Sequence, residues 1–165
     1  MSYPFQRSIA IQAAPERVYE YLTNIPANRE WGEMADLELL TDGPLRVGTR
    51  WRSSGKTGGV PMHDECEVTA LEPDRRFSFK VDSRALGGRW AVLYLTYSLT
   101  HTAEGTKVTF GGEINLAEGT GFFRILGSIP LVERLFLGLA EKLVVGKVIE
   151  GGLVRLRDNL EQAHT

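Results

Sequence analysis

The segment Leu135–Leu156, LFLGLAEKLVVGKVIEGGLVRL, has the apolar spacing of a long helix, yet it contains four glycines. Each glycine inside a helix costs roughly 0.5–1 kcal/mol relative to alanine, so four of them call for a reason. One stripe of this helix recurs every three or four residues, as a buried helix face requires. Its members are Leu135, Gly138, Lys142, Val145, Ile149, Leu153, Leu156 and Leu160.

Two of the glycines are placed to face the interior. Gly138 falls on the stripe and Gly146 lies beside it, so we expect both to leave volume between the helix and a sheet. Gly112, which shares the strand parity of its apolar neighbours, would do the same on the sheet side. A ligand cavity is the simplest use of such volume, and leucine at position 138 or 146 would fill it. Close helix–sheet packing, or a bend at Gly151-Gly152, are the alternatives.

The chain before this helix is predicted to be mostly β-structure. An alternating strand beginning at Phe5 precedes a short helix opened by Pro15, and a second short helix is expected from Ala27 to Trp31. Six strands between positions 37 and 116, joined by short turns, predict an antiparallel meander. The helical region begins at about Gly121, and Pro130 is expected to break its start.

Composition narrows the function classes. The 165 residues, 42% hydrophobic and 24% charged, are typical of one globular domain, which we place at residues 1–165. A net charge of −2 argues against a nucleic-acid partner. The single Cys66 excludes an internal disulfide, and the sequence lacks the features of a signal peptide. No apolar stretch is long enough to span a bilayer. We therefore expect a cytoplasmic protein with no transmembrane segment.

Several stretches in a fixed order resemble one superfamily. They are SIAIQAAPERVYEYLTNIPANREW, LRVGTRW, CEVTALEPDRRFSFKV, YLTYSLTHTAEGTKVTF and the long C-terminal helix. Together they resemble the START-like, polyketide cyclase/dehydrase (SRPBCC) superfamily over nearly the whole chain. The resemblance implies an α+β helix-grip fold. In that fold a seven-stranded antiparallel sheet curls around a long C-terminal helix, two short helices follow strand 1, and a cavity lies between sheet and helix.

Strand parity and this resemblance together select the candidate ligand-binding residues. They are mostly apolar, which suits a hydrophobic ligand, while Ser53, Asp64, Tyr97 and the Cys66 thiol could orient it through hydrogen bonds. Cys66 is expected to be a small buried hydrophobe rather than a nucleophile. The full candidate set is Trp31, Trp51, Ser53, Asp64, Cys66, Phe77, Phe79, Leu95, Tyr97, Phe110, Gly112, Gly138, Lys142 and Gly146.

These observations leave three function classes open. The first is a protein that binds a lipid, polyketide, quinone or isoprenoid in the cavity. The second, implied by the resemblance, is a polyketide aromatase/cyclase or dehydratase, with Asp64, Tyr97 and Ser53 as candidate catalytic residues. The third is an interaction module like the co-chaperones that share the fold; an open cavity would favour the first two. No metal or cofactor is expected, because the sequence has no HExxH, paired CxxC or clustered histidines.

One further surface is singled out by parity. Val92 and Tyr94 should project from the outer face of their strand, with Trp90 at its start. A solvent-exposed sheet face is normally more polar. We therefore expect a modest self-association surface there, with a homodimer as one outcome.

Overall fold

A computed structural model of the chain describes residues 2–27 and 34–163. The predicted second short helix and Trp31 lie mostly or wholly outside the described residues; Ile25–Ala27 forms a 3₁₀ turn. The seven strands are β1 (Ser2–Ile11), β2 (Met34–Leu39), β3 (Arg50–Thr57), β4 (Val60–Glu72), β5 (Arg76–Ala85), β6 (Gly88–Thr102) and β7 (Gly105–Asn115). The helices are α1 (Pro15–Thr23), α2 (Phe122–Gly127), α3 (Pro130–Ala140) and α4 (Glu150–Gln162), with a π-helical segment (Glu141–Ile149) between α3 and α4.

All seven strands form one antiparallel sheet in the order β1-β7-β6-β5-β4-β3-β2. The predicted seven-stranded sheet and helix-grip fold are confirmed. Strands β2 to β7 form a six-strand meander. Strand β1 pairs with β7 and so forms the edge of the sheet opposite β2. The inner face carries the predicted alternation: on β1, for example, Phe5 and Ile11 are buried and the residues between them alternate.

Two tight hairpins extend the strands beyond the ends predicted from the sequence, which were Ser53 and Asp64 at the first hairpin and Asp82 and Trp90 at the second. Gly58 and Gly59 have φ values of 56° and 81°, and Leu86 and Gly87 have values of 50° and 79°. Positive φ at both central residues is the requirement of a type I′ turn, whose twist matches that of paired strands. The extra pairing carries the inner face of the sheet outward to Met62 and Ala85, which pair with each other across β4 and β5.

Hydrogen bonds and buried leucines hold α4 on the sheet. Leu153, Leu156 and Leu160 are each no more than 3% exposed. The Gln12 amide donates to Glu161 Oε1 at 2.9 Å, and Arg7 Nε donates to Glu150 at 2.7 Å. The break expected before Pro130 is also confirmed, because α2 ends at Gly127 and α3 begins at Pro130.

The predicted inward stripe is correct only in its C-terminal half. Val145 and Ile149 are buried, as are the leucines of α4, but Leu135 is 69% exposed, and Gly138 and Lys142 are exposed as well. The π-helical segment explains the difference. Its hydrogen bonds span five residues instead of four, so each residue turns the chain by less than in an α-helix. Extending the α-helical period backwards through this segment therefore assigned the wrong face to the residues before it.

Candidate functional site

An open cavity of about 170 Å³ lies between the hairpin end of the sheet and the helices that cover it. The β3–β4 hairpin, the β5–β6 hairpin and the start of β6 form one wall. The helices α2 and α3 and the π-helical segment form the other. Thr57 is the one polar residue in the lining, which consists of Thr57, Val60, Met62, Ala85, Leu86, Trp90, Phe123, Phe136, Leu139 and Leu143.

Trp90 reaches this lining because of a bulge. Ser83 pairs with Ala91 and Arg84 pairs with Arg89, so Trp90 is the extra residue on β6. A bulge of this kind re-aims a side chain. Trp90 is therefore turned inward, where it is 6% exposed and its ring centroid lies 6.2 Å from that of Phe136.

This placement changes which side chains are available on the expected self-association surface. Trp90 is not on the outer face, and Val92 is only 1% exposed, so Tyr94 alone of the three is accessible. Tyr94 packs beneath Lys80 and donates a hydrogen bond to Glu118 at 3.3 Å. The outer face also carries ion pairs, among them Arg50–Glu65. It has the polar character normal for a solvent-facing sheet.

A chain of hydrogen bonds leads from the cavity to a carboxyl group. Trp90 Nε1 donates to Ser83 Oγ at 2.7 Å, and Ser83 Oγ donates to Asp64 Oδ1 at 2.5 Å. Asp64 lies two residues beyond the lining residue Met62 on the same face of β4, with Ser83 and Ser53 as its partners on the two neighbouring strands. The cavity is thus apolar at its walls and borders a small polar cluster at its inner end.

Burial changes the proton affinity of this cluster. Burial raises the pKa of Asp64 to about 6, and the hydrogen bond from Ser83 opposes that rise. Burial also raises the pKa of the Cys66 thiol, so Cys66 is a neutral thiol at pH 7. The Tyr97 pKa is raised by burial as well. Among the predicted polar residues, Asp64 is the one whose protonation state changes near neutral pH.

Most of the predicted aromatic lining forms the centre of the core instead. Tyr97 stacks on Phe110 with 4.1 Å between their ring centroids. The ring centroids of Phe77 and Phe79 are 5.2 Å apart. The ring centroids of Trp51 and Phe79 are 5.6 Å apart. Their inward orientation is as predicted, but these rings and Leu95 contact the core and do not line the cavity. The aromatic side chains fill the space that we expected to be open.

The predicted glycine positions do not line the cavity either. Gly138 and Gly146 are exposed, and nothing lies within 4 Å of a Cβ placed at Gly138. Lys142 is exposed on the same outer side. Gly112 is needed for another reason: a Cβ there would overlap the carbonyl oxygen of Tyr94. Close approach of β6 and β7 therefore requires this glycine, and it leaves no volume for a ligand.

Sequence reasoning missed the residues at the hairpin end. Met62 and Ala85 have the parity of Asp64 and Val81, so strands continued to the glycine turns would have included them. The alternation of side chains along β6 does not reveal the bulge at Trp90, so the inward orientation of Trp90 could not be predicted from it. Phe136 and Leu143 were missed because the predicted stripe followed an α-helical period.

Two other kinds of site are absent from the described residues. In the described part of the chain, no helix combines the length and apolar character needed to cross a bilayer. Within residues 2–27 and 34–163, no three His, Cys, Asp or Glu side chains are grouped so that they could hold a metal ion.

Comparison with known proteins agrees with this architecture. A search of curated protein sequences finds no match. A solved structure from Rhizobium leguminosarum has a TM-score of 0.74 at 17% identity, covering 98% of this chain and 96% of that chain. A protein of Thermus thermophilus has a TM-score of 0.72 at 20% identity, covering 100% of both chains. The di-domain ARO/CYC StfQ from the steffimycin biosynthetic pathway has a TM-score of 0.74 at 16% identity, covering 99% of this chain and 52% of that one.

These likenesses show the fold, and a sequence-family match shows the family. The family model described as polyketide cyclase / dehydrase and lipid transport matches residues 4–161. The fold is the helix-grip fold, and its cavity lies between the hairpin end of the sheet and the segments α2, α3 and the π-helical segment that cover it. The chain therefore belongs to the polyketide cyclase/dehydrase and lipid transport family, as an SRPBCC protein of the hydrophobic ligand-binding or polyketide cyclase type.

Proposed function

We propose that the protein binds an apolar small molecule, of lipid, polyketide, quinone or isoprenoid type, in the cavity at the hairpin end of the sheet. The observation that carries the proposal is the cavity lining, which is apolar apart from Thr57 and includes Trp90, Phe123 and Phe136. Burial of apolar ligand surface against such a lining supplies about 25 cal/mol per Å² before the costs of association.

The size of the cavity limits how the ligand sits. A dry protein cavity of about 150 Å³ holds a benzene ring, whereas sites for whole drug-sized ligands span roughly 300–1,000 Å³. A volume of about 170 Å³ therefore accommodates one ring or one branched chain end. The rest of a larger ligand would leave by the mouth, where Leu86 is 74% exposed and Leu139 is 54% exposed.

Native mass spectrometry tests the proposal. Protein purified from a cell extract is compared with the same sample after extraction with organic solvent. A discrete adduct that disappears on extraction is the expected result, and its mass identifies the chemical class. A sample that shows no adduct and takes up no member of the four ligand types would contradict the proposal.

The second candidate is a cyclase or dehydratase acting in the same cavity. The observation that favours it is Asp64, whose pKa of about 6 suits proton transfer near neutral pH and which borders the cavity through Ser83 and Trp90. If this candidate is correct, Asp64→Asn retains binding of the extracted molecule and abolishes its conversion. Equal conversion by both proteins would leave binding as the function.

The third class, an interaction module, receives less support. It would act through its outer surface and would be consistent with a collapsed interior. An open apolar cavity favours binding or catalysis. Trp90 faces the cavity and Val92 is buried, so neither is exposed on the outer face on which the interaction hypothesis rested.

A further inference from the structure

The helices over the cavity expose a concentrated apolar surface. We name this surface the lid patch; it consists of Leu86, Phe122, Ile125, Ile129, Leu131, Leu135 and Leu139. Phe122 and Ile125 are 63% and 64% exposed, and Leu131 and Leu135 are 70% and 69% exposed. Seven of the thirteen large hydrophobic side chains exposed in the described residues belong to it.

These seven side chains lie outside the hydrophobic core. The inner side of the same helices already carries Phe123 and Phe136, whose ring centroids lie 6.2 Å apart. Phe136 in turn contacts Trp90. A helix on the surface of a globular protein normally pairs such an inner face with a polar outer face. Here α2 and α3 are apolar on both sides, so their outer side is suited to a second apolar environment.

The lid patch is continuous with the cavity. Leu86 and Leu139 line the cavity and are also exposed on the patch. An apolar molecule that leaves the cavity therefore passes directly onto the patch. Water is a poor medium for that step, because each apolar surface exposed to it is unfavourable.

The charges around the patch favour an anionic surface as its partner. Arg124 on α2, Arg134 on α3 and Lys142 near the start of the π-helical segment are exposed beside the patch. Of the acidic residues in these segments, Glu133 lines a small inner pocket with Phe123 and Phe136. Glu141 accepts a hydrogen bond from Tyr3 of β1. Cations beside an apolar helix face are attracted to anionic lipid headgroups while the apolar face enters the headgroup–acyl boundary. A two-fold contact between copies brings like surfaces together, so the same cations disfavour a second copy of the chain.

We propose that the lid patch docks on an anionic lipid bilayer and that the apolar ligand passes between the bilayer and the cavity through the mouth at Leu86 and Leu139. The docking is an inference from the patch alone. The passage of a ligand rests on the proposed function, so the two are tested by separate readouts.

Vesicle sedimentation with the full chain tests the docking. The vesicles contain phosphatidylcholine with phosphatidylglycerol, or phosphatidylcholine alone. We expect stronger binding to the anionic vesicles, and we expect the double variant L131E/L135E to lower it by about tenfold or more. The matched control L39E/V154E adds the same charge at exposed apolar positions outside the patch and should bind within about twofold of the unchanged protein.

Three results would overturn the docking proposal. The first is an unchanged protein that sediments with neither kind of vesicle. The second is equal binding by L131E/L135E and L39E/V154E. The third is a dimer in light scattering that L131E/L135E alone dissociates, which would assign the patch to a second copy. Titration with an uncharged probe dye without vesicles separates the two proposals: dye binding that survives L131E/L135E preserves the proposed function whatever the vesicle result.

Discussion

The centre and the hairpin end of the sheet's inner face follow the same alternating pattern but enclose different amounts of space. At the centre, Phe77, Tyr97 and Phe110 pack ring against ring and fill the core. At the hairpin end, the smaller Met62 and Ala85 face the covering helices across an open cavity. Alternation therefore decides which side chains point inward, while side-chain size and the helix opposite decide whether a cavity remains.

The largest expected loss of stability follows from truncating a side chain at the filled centre of the inner face. Phe77 is 1% exposed and lies between Phe79 and Tyr97, so Phe77→Ala should lower the free energy of unfolding by about 3–5 kcal/mol. Met62→Ala, at the wall of an existing cavity, removes fewer packed contacts and should cost about 1 kcal/mol. Urea denaturation measures both. Equal losses would show that the two regions are packed alike.

The sequence contained the information for the sheet because that information is local. Alternating residues on β1 and turn residues such as Gly58 and Gly59 specify strands and hairpins without reference to distant contacts. The break before Pro130 was predictable for the same reason. The predicted inward orientation of Phe77 and Tyr97 is also correct.

The site depended on features that no local pattern reveals. The bulge at Trp90 arises from the pairing of β5 with β6, so it reverses one side chain without changing the alternation around it. The π-helical segment changes the phase of the helix and turns Gly138 outward. Close contact between two strands explains Gly112. The bulge and the close strand contact arise from strand pairing, whereas the π-helical segment arises from a change in helical hydrogen bonding. Because the sequence pattern shows none of the three, it predicted the cavity in the wrong place.

The carboxyl of Asp64, at the border of the two regions, gives the next prediction. Its folded pKa of about 6 exceeds the value of about 3.9 expected in the unfolded chain. Its stabilising effect is complete below pH of about 4 and is lost as the pH rises through 6, because the folded state then holds a proton that the unfolded state has released. Asp64→Asn should therefore be more stable than the unchanged protein by roughly 1–2 kcal/mol above pH 7, after allowance for partial exposure.

Denaturation curves recorded at several pH values provide the check. The difference in unfolding free energy between Asp64→Asn and the unchanged protein should grow between pH of about 4 and 6 and stay constant above that range. A constant difference across the whole range would mean that Asp64 ionises in the folded protein as it does in water.

The smallest effect is expected on the outer side of the helix. Gly138 is exposed and has open space around its Cβ position, so Gly138→Ala should raise the free energy of unfolding by about 0.5–1 kcal/mol through helix propensity alone. Dye binding should not change. Loss of dye binding in this variant would show that Gly138 lines the cavity, which would contradict the outward orientation of Gly138 described above.

Titration with N-phenyl-1-naphthylamine, an uncharged fluorescent dye, tests the central claim most directly. Ala85 is buried at the cavity wall, so Ala85→Leu should fill the cavity and weaken dye binding by about tenfold or more. Ala91, also buried but absent from the lining, provides the matched control. Ala91→Leu should lose about 1–3 kcal/mol of stability through overpacking and keep its dye affinity. Equal dye affinity in Ala85→Leu and the unchanged protein would contradict a binding site at the hairpin end.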